Sequence, residues 1–152
     1  MSAGLQVKYL WHDIHVLEAE VTASNAIFSG AARTYIGIEY LAEAAQLLDG
    51  FPRNKIDIRE LEFGAFGRRF AGGAAHLRFF CNDSAGHAVV EPRIASENES
   101  NTGSNWNFPE QNALFFEEIE ASAVDEFFSQ LRQLNKSKSG VASLRFAASP
   151  TR

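Results

Sequence analysis

Residues 75–94 are the stretch that most restricts what this chain can fold into. Ala75, Leu77, Phe79 and Cys81 alternate with His76, Arg78 and Phe80, and Ala88, Val90, Pro92 and Ile94 alternate with Val89, Glu91 and Arg93. Alternation of period two marks a strand with one buried face. Between the two runs stand Asp83, Ser84, Ala85 and Gly86, residues that suit a tight turn. Pairing Asp83 with Gly86 brings both apolar faces to one side. It also sets Arg78 opposite Glu91, Phe80 opposite Val89 and His76 opposite Arg93. A slip of one residue would turn one apolar set toward water, so the register is strongly specified. Pro92 has no N–H for a ladder, which predicts that the returning strand is an edge or lies beside a bulge.

Shorter signals fill in the rest. Leu17, Ala19 and Val21 alternate with Glu18, Glu20 and Thr22, predicting a strand over 14–23. Asn25 tolerates left-handed dihedrals and can turn the chain into a strand over 26–33. Further strands are predicted at 7–11, 56–63 and 113–120. The last has Phe115 and Ile119 on one face and Leu114 and Phe116 on the other, the pattern of a central strand. Ile36, Tyr40, Leu41, Ala44, Leu47 and Leu48 recur at helical spacing, and Gly50, Phe51 and Pro52 stop that helix. Val124, Phe127, Phe128, Leu131 and Leu134 predict a second helix, with Ser122 and Asp125 as a loose capping box and Asn135 as its end. The expected fold is therefore α+β: a single antiparallel sheet of about six strands with two amphipathic helices, in the order strands, helix, strands, helix. Residues 1–135 form one domain, and 136–152 a disordered tail on which Val141, Leu144 and Phe146 offer weak docking points.

Composition narrows the class. With 152 residues, 45% of them hydrophobic and 13 phenylalanines, the chain can bury a core without staples. No apolar run approaches membrane-spanning length, and residues 1–11 lack the basic start and apolar stretch of a secretory leader. A single cysteine, Cys81, allows no internal disulfide, which fits a reducing compartment. The expectation is a cytoplasmic chain. Its net charge of −5 is uneven. No Lys or Arg falls between Arg93 and Arg132, where Glu97, Glu99, Glu110, Glu117, Glu118, Glu120, Asp125 and Glu126 all lie. Such a body repels nucleic acid and anionic membranes and attracts a basic partner or a cation.

Candidate chemistry is sparse. His12 and His15 are three apart, so on one strand they point to opposite faces and cannot chelate a metal together. Cys81 shares the apolar face of Leu77 and Phe79, where a thiol behaves as a small inert hydrophobe. The four-glycine loop over 64–73 carries Arg68 and Arg69 between Phe66 and Phe70, yet no Lys-Ser/Thr pair or helix follows, so it matches no phosphate-binding signature. Glu118 and Glu120 share a face that reads as a wet sheet surface, and no Gly-x-Ser-x-Gly elbow is present. The residues therefore predict no catalytic group, no cofactor and no metal. The partner-contact candidates are Trp106 and Phe108 as aromatic anchors, Glu97, Glu99 and Glu110 as their acidic surround, and the pair Arg68 and Arg69.

Phe28-Ser29-Gly30, Tyr35, Leu41, Leu48, Gly50-Phe51-Pro52, Leu77-Arg78-Phe79, Asp83-Ser84-Ala85-Gly86-His87 and Phe127 with Leu131 together resemble a bacterial family of small proteins. That family is similar to the WapI-type immunity proteins, which are encoded beside secreted polymorphic toxins and neutralise them. The resemblance covers residues 14–134 and consists mostly of turn and core positions. It implies a cytosolic non-enzyme that binds one toxin domain. Two other expectations stand beside it. One is a self-assembling module, a homodimer pairing through the strand of Pro92. The other is a small-molecule binder built on the Gly/Arg loop with a histidine.

Overall fold

Three consecutive strands at the N-terminus begin the first of two sheets. In the computed structural model, which describes residues 3–67, 72–96 and 111–147, they are β1 (Gly4–His12), β2 (Val16–Ser24) and β3 (Ser29–Gly37). Short polar side chains make both turns. Asp13 Oδ1 accepts from the backbone N–H groups of His15 and Val16, both at 2.8 Å. Asn25 Oδ1 accepts from those of Ile27 at 2.8 Å and Phe28 at 2.7 Å. Asn25 thus turns the chain by hydrogen bonding its own backbone, not by taking a left-handed conformation. Leu5, Val7 and Tyr9, then Leu17, Ala19, Val21 and Ala23, then Ala32, Thr34 and Ile36, share one buried face. Ile36, expected on a helical stripe, belongs to this face.

The chain order continues through α1 (Tyr40–Leu48), β4 (Arg59–Gly64), β5 (Ala74–Cys81), β6 (Ala88–Ala95), β7 (Asn112–Leu114), β8 (Glu117–Ile119), α2 (Ala121–Ser137) and β9 (Val141–Leu144). The first sheet runs β3-β2-β1-β9, the second β4-β5-β6-β7, and β8 also pairs with β6. Among the described residues there are therefore nine strands in two sheets, in place of a single sheet of about six. All neighbouring strands are antiparallel.

The β5–β6 hairpin has the register that its turn dictates, with Arg78 opposite Glu91, Phe80 opposite Val89 and His76 opposite Arg93. The strand of Pro92 is interior, however, since β7 and β8 line its other side. β7 pairs with Arg93, Ile94 and Ala95, and β8 with Ala88, Val89 and Val90. Pro92 and Glu91 fall opposite the gap. The Pro92 carbonyl accepts from the Phe115 N–H at 3.4 Å, so it faces that gap. A strand residue's nitrogen and carbonyl point the same way, so the missing donor of Pro92 also faces the break and not β5. The neighbour is interrupted, and the proline stays inside. The same geometry corrects the central strand predicted over 113–120: it is two short edge segments.

Residues 136–147, predicted as part of a disordered tail, instead hold the end of a helix and a ninth strand. Residues 136 and 137 complete α2, Lys138 ends it at φ 58°, and Val141–Leu144 adds β9 to β1. Ala142 and Leu144 fall opposite Val7 and Leu5 and are buried with them. Neither Asn135 nor Ser122 has its predicted role: the helix runs past Asn135, and Ser122 lies inside it while Glu120 occupies the cap position without a side-chain bond.

The inner faces of the sheets and the helices bury one core. α1 contributes Leu41, Ala44, Ala45 and Leu48, and α2 contributes Ala123, Val124, Phe127, Leu131 and Leu134. β3 leans on the second sheet, while α1 meets β4, α2 meets β9, and the helices touch each other. α1 stops as its sequence predicts: Gly50 takes φ 76°, and the Phe51 N–H returns to the Leu48 carbonyl at 3.1 Å. Phe51 then packs edge-on against Phe79 with centroids 5.8 Å apart. Phe63, Phe79 and Phe127 are fully buried, and each such side chain contributes about 1.5–3 kcal/mol by leaving water. No helix among the described residues is long and apolar enough to cross a membrane.

Single groups finish several strand edges. The Glu62 N–H on β4 donates to the Tyr40 hydroxyl at 2.7 Å, and the Ser143 N–H on β9 donates to Gln130 Oε1 at 2.7 Å. The Arg33 carbonyl on β3 accepts from the Gly73 N–H at 2.7 Å, and the Glu118 carbonyl on β8 from the Ala147 N–H at 2.8 Å.

Candidate interaction surface

Trp106, Phe108, Glu97, Glu99, Glu110, Arg68 and Arg69 all lie outside the described residues. Their flanks are placed. Ser96 and Gln111 close the base of the acidic segment, the Ser96 N–H donating to the Gln111 carbonyl at 3.0 Å. That base extends the β6–β7 pair, so the segment starts and ends at one end of the second sheet. The arginine pair is bracketed by Gly67 and Gly72. Gly72 takes φ +80°, and a Cβ there would sit 2.7 Å from the Tyr35 ring, so only glycine lets the backbone approach so closely. Before the arginines, the Phe66 ring carries the Arg93 guanidinium 4.1 Å from its centroid, a cation–π contact.

Beside this loop is an open hollow of about 330 Å³ lined by Tyr35, Ile36, Gly37, Tyr40, Glu62, Gly64 and Ala65. It presents two phenols and one carboxylate. Burial pushes the Tyr40 phenol above its ordinary range, and its ring meets Phe63 edge-on at 5.4 Å. Tyr40 is thus a fixed hydrogen-bonding post for β4.

A second surface lies along the margin where the β2–β3 turn meets β7 and β8. The Phe28 ring stacks on Phe115 with centroids 6.3 Å apart, and Phe115 meets Phe146 edge-on at 6.4 Å. Asn25 Nδ2 donates to Glu117 Oε1 at 2.9 Å, tying the turn to β8. Around these contacts, large apolar side chains face water: Ile27 is 75% exposed, Phe28 51%, Leu114 57% and Phe116 61%. Glu118 and Glu120 are exposed beside them. Ile27 and Phe28 at the turn, and Leu114 and Phe116 on the face of the adjoining edge that alternates with Phe115, expose apolar area with carboxylates in the same run, the make-up of a protein-contact surface.

Glu117 departs from the wet-face reading given to its neighbours. It is buried on the inner face with Phe115 and Ile119. The signal was available, because odd-numbered residues here share the apolar side. The remaining sequence candidates are bland. His12 and His15 are exposed around the Asp13 turn, and the backbone N–H groups of His15 and Val16 hold the Asp13 carboxyl below its ordinary value. Cys81 is partly covered, its Sγ lies 3.8 Å from the Asn54 carbonyl, and burial pushes its thiol up, away from the reactive thiolate. Among the described residues no three His, Cys, Asp or Glu side chains are grouped to hold a metal. No protein family, curated protein or solved structure matches this chain.

Proposed function

We propose that this chain is a non-enzymatic protein-binding domain of the immunity type, which neutralises a cognate toxin by occupying it. The observation that carries the reading is the margin formed by Ile27, Phe28, Leu114 and Phe116, apolar and open to water beside Glu118 and Glu120. Exposed aromatics supply binding anchors, and a net charge of −5 favours a basic partner by speeding its approach. The family resemblance points the same way. Trp106, Phe108, Glu97, Glu99 and Glu110 enter this reading as further contacts, since their segment leads directly into β7.

Co-expression with the toxin domain encoded beside the gene tests it. Growth rescue and co-purification are expected, and the absence of both overturns the proposal. Ile27→Asp combined with Phe116→Asp should weaken the complex at least a hundredfold while leaving the melting temperature of the free protein within a few degrees, because both side chains are on the surface.

The hollow beside Gly64 favours a second reading, a small-molecule site using Tyr35, Tyr40 and Glu62 with Arg68 and Arg69 nearby in sequence. Its size is at the lower end for ligand pockets, and it is open where such pockets enclose their ligand.

A further inference from the structure

Residues 145–147 strap the two sheets together. They leave the first sheet after Leu144, pass α2 at Glu126 and reach the edge of β8 that β6 leaves free. Three contacts hold them there. Arg145 Nε and Nη2 donate to Glu126 Oε2 and Oε1, each at 3.1 Å. The Phe146 ring meets Phe115 edge-on. The Ala147 N–H donates to the Glu118 carbonyl at 2.8 Å. Neighbouring side chains thus meet different elements while the backbone bonds to a strand edge, the way an extended peptide adds to a sheet.

The hold is weak beside what precedes it. β9 pairs with β1 over four residues and buries Ala142 and Leu144. In the strap, the side chains of Arg145 and Glu126 are both more than half exposed, and an ion pair so open to water contributes little. Phe146 is only partly buried. Among the described residues the strap makes one backbone bond to β8. The Glu118 N–H points to the same side as its carbonyl, and the strap offers it no acceptor. The seat itself is firmer. Phe115 is almost wholly buried and stacks on Phe28, and Glu120 joins Glu126 in favouring a cation where Arg145 lies.

We propose that the edge of β8, between Phe115 and Glu126, is a docking site for an extended partner segment in which arginine or lysine directly precedes an aromatic residue. In the free chain residues 145–147 occupy it. The strap itself supplies the occupant's chemistry: Glu126 takes the cation, Phe115 the ring and Glu118 the backbone. A partner segment that also gives the Glu118 N–H an acceptor displaces the strap, while β9 stays paired with β1. The site needs neither a toxin nor the outward-facing Leu114 and Phe116, so it and the immunity reading can fail separately.

The test is a nuclear magnetic resonance titration of the full chain with the end-blocked peptide Gly-Arg-Phe-Ala-Gly. A tethered strap competes at high effective concentration, so Phe146→Ala should bind the peptide at least tenfold more tightly than the native chain. Saturable shifts at the Phe115 ring and the Glu118 amide are expected in that variant. Replacing the peptide's arginine with glutamate, or its phenylalanine with alanine, should weaken binding at least fivefold. No saturable binding to Phe146→Ala overturns the proposal. So does a gain of less than tenfold over the native chain, or less than fivefold discrimination among the peptides. If Phe146→Ala loses its dispersed spectrum, Arg145→Glu, which sets a carboxylate against Glu126, takes its place with a threefold gain as the threshold.

Discussion

Asp83 shows how much one side chain does at a turn. Its Oδ1 accepts from the N–H groups of Ala85 at 3.0 Å and His87 at 3.1 Å, and its Oδ2 meets His87 Nδ1. Each partner shifts the other: His87 holds the Asp83 carboxyl below its ordinary value, and Asp83 holds the His87 imidazole above its own. The histidine's contribution is complete below the unfolded histidine's pKa and fades as pH rises through its raised folded value. The aspartate's is complete above the unfolded aspartate's pKa and fades as pH falls through its lowered folded value. The turn is therefore firmest between the ordinary values of 3.8 and 6.5. A histidine titration followed by nuclear magnetic resonance should place His87 above 6.5, and Asp83→Asn should bring it back down. A native His87 titrating at or below that value would count against the pair. Both groups are open to solvent, so added salt should narrow the difference.

At the scale of elements, legibility followed how local each signal was. The β5–β6 register was readable because four turn residues and two alternating runs determine it together. The end of α1 was readable because Gly50, Phe51 and Pro52 act on adjacent backbone. The β7–β8 break was not. Leu114 and Phe116 read as the second covered face of a central strand, when their apolarity faces water at the margin. Pro92 taken alone marks an edge, but the neighbouring strand absorbs its missing donor instead. β9 is too short for alternation to stand out in a Ser- and Lys-rich stretch, and Leu5 and Val7, which select it, are over a hundred residues away. The β1–β2 ladder skips Leu10 between Tyr9 and Trp11, a bulge that leaves no local mark in the sequence. Asn25 tests the β2–β3 turn as an element. Asn25→Ala removes the acceptor for two backbone N–H groups and a donor to Glu117. It should lower stability by about 1–2 kcal/mol in urea unfolding. Asn25→Asp keeps the backbone acceptor but brings a second carboxylate to Glu117. Its deficit should shrink as pH falls and one acid takes a proton. A deficit independent of pH would show that the two side chains do not meet.

Across the whole molecule, the two sheets do not close on each other, yet four of their strands have an edge group already engaged. Gly73 meets β3, Tyr40 meets β4, Ala147 meets β8 and Gln130 meets β9. An open edge is where a second copy would add a strand. With the strand of Pro92 inside the sheet, a homodimer pairing through that strand has no edge to use. Light scattering should therefore give a monomer mass at high protein concentration. A dimer that Phe116→Asp dissolves would instead assign the apolar margin to a second copy of the chain. Two of these caps, Tyr40 and Gln130, are side chains, and each stands where another molecule's backbone would otherwise bind. Solubility in this protein thus hangs partly on substitutions that leave its core untouched. Gln130→Met should fold with little loss of stability yet cloud on prolonged incubation, with Ser143 exchanging its amide hydrogen faster than in the native chain. Selection on such a position would be for staying apart from its own kind, a demand that neither a binding assay nor a melting curve records.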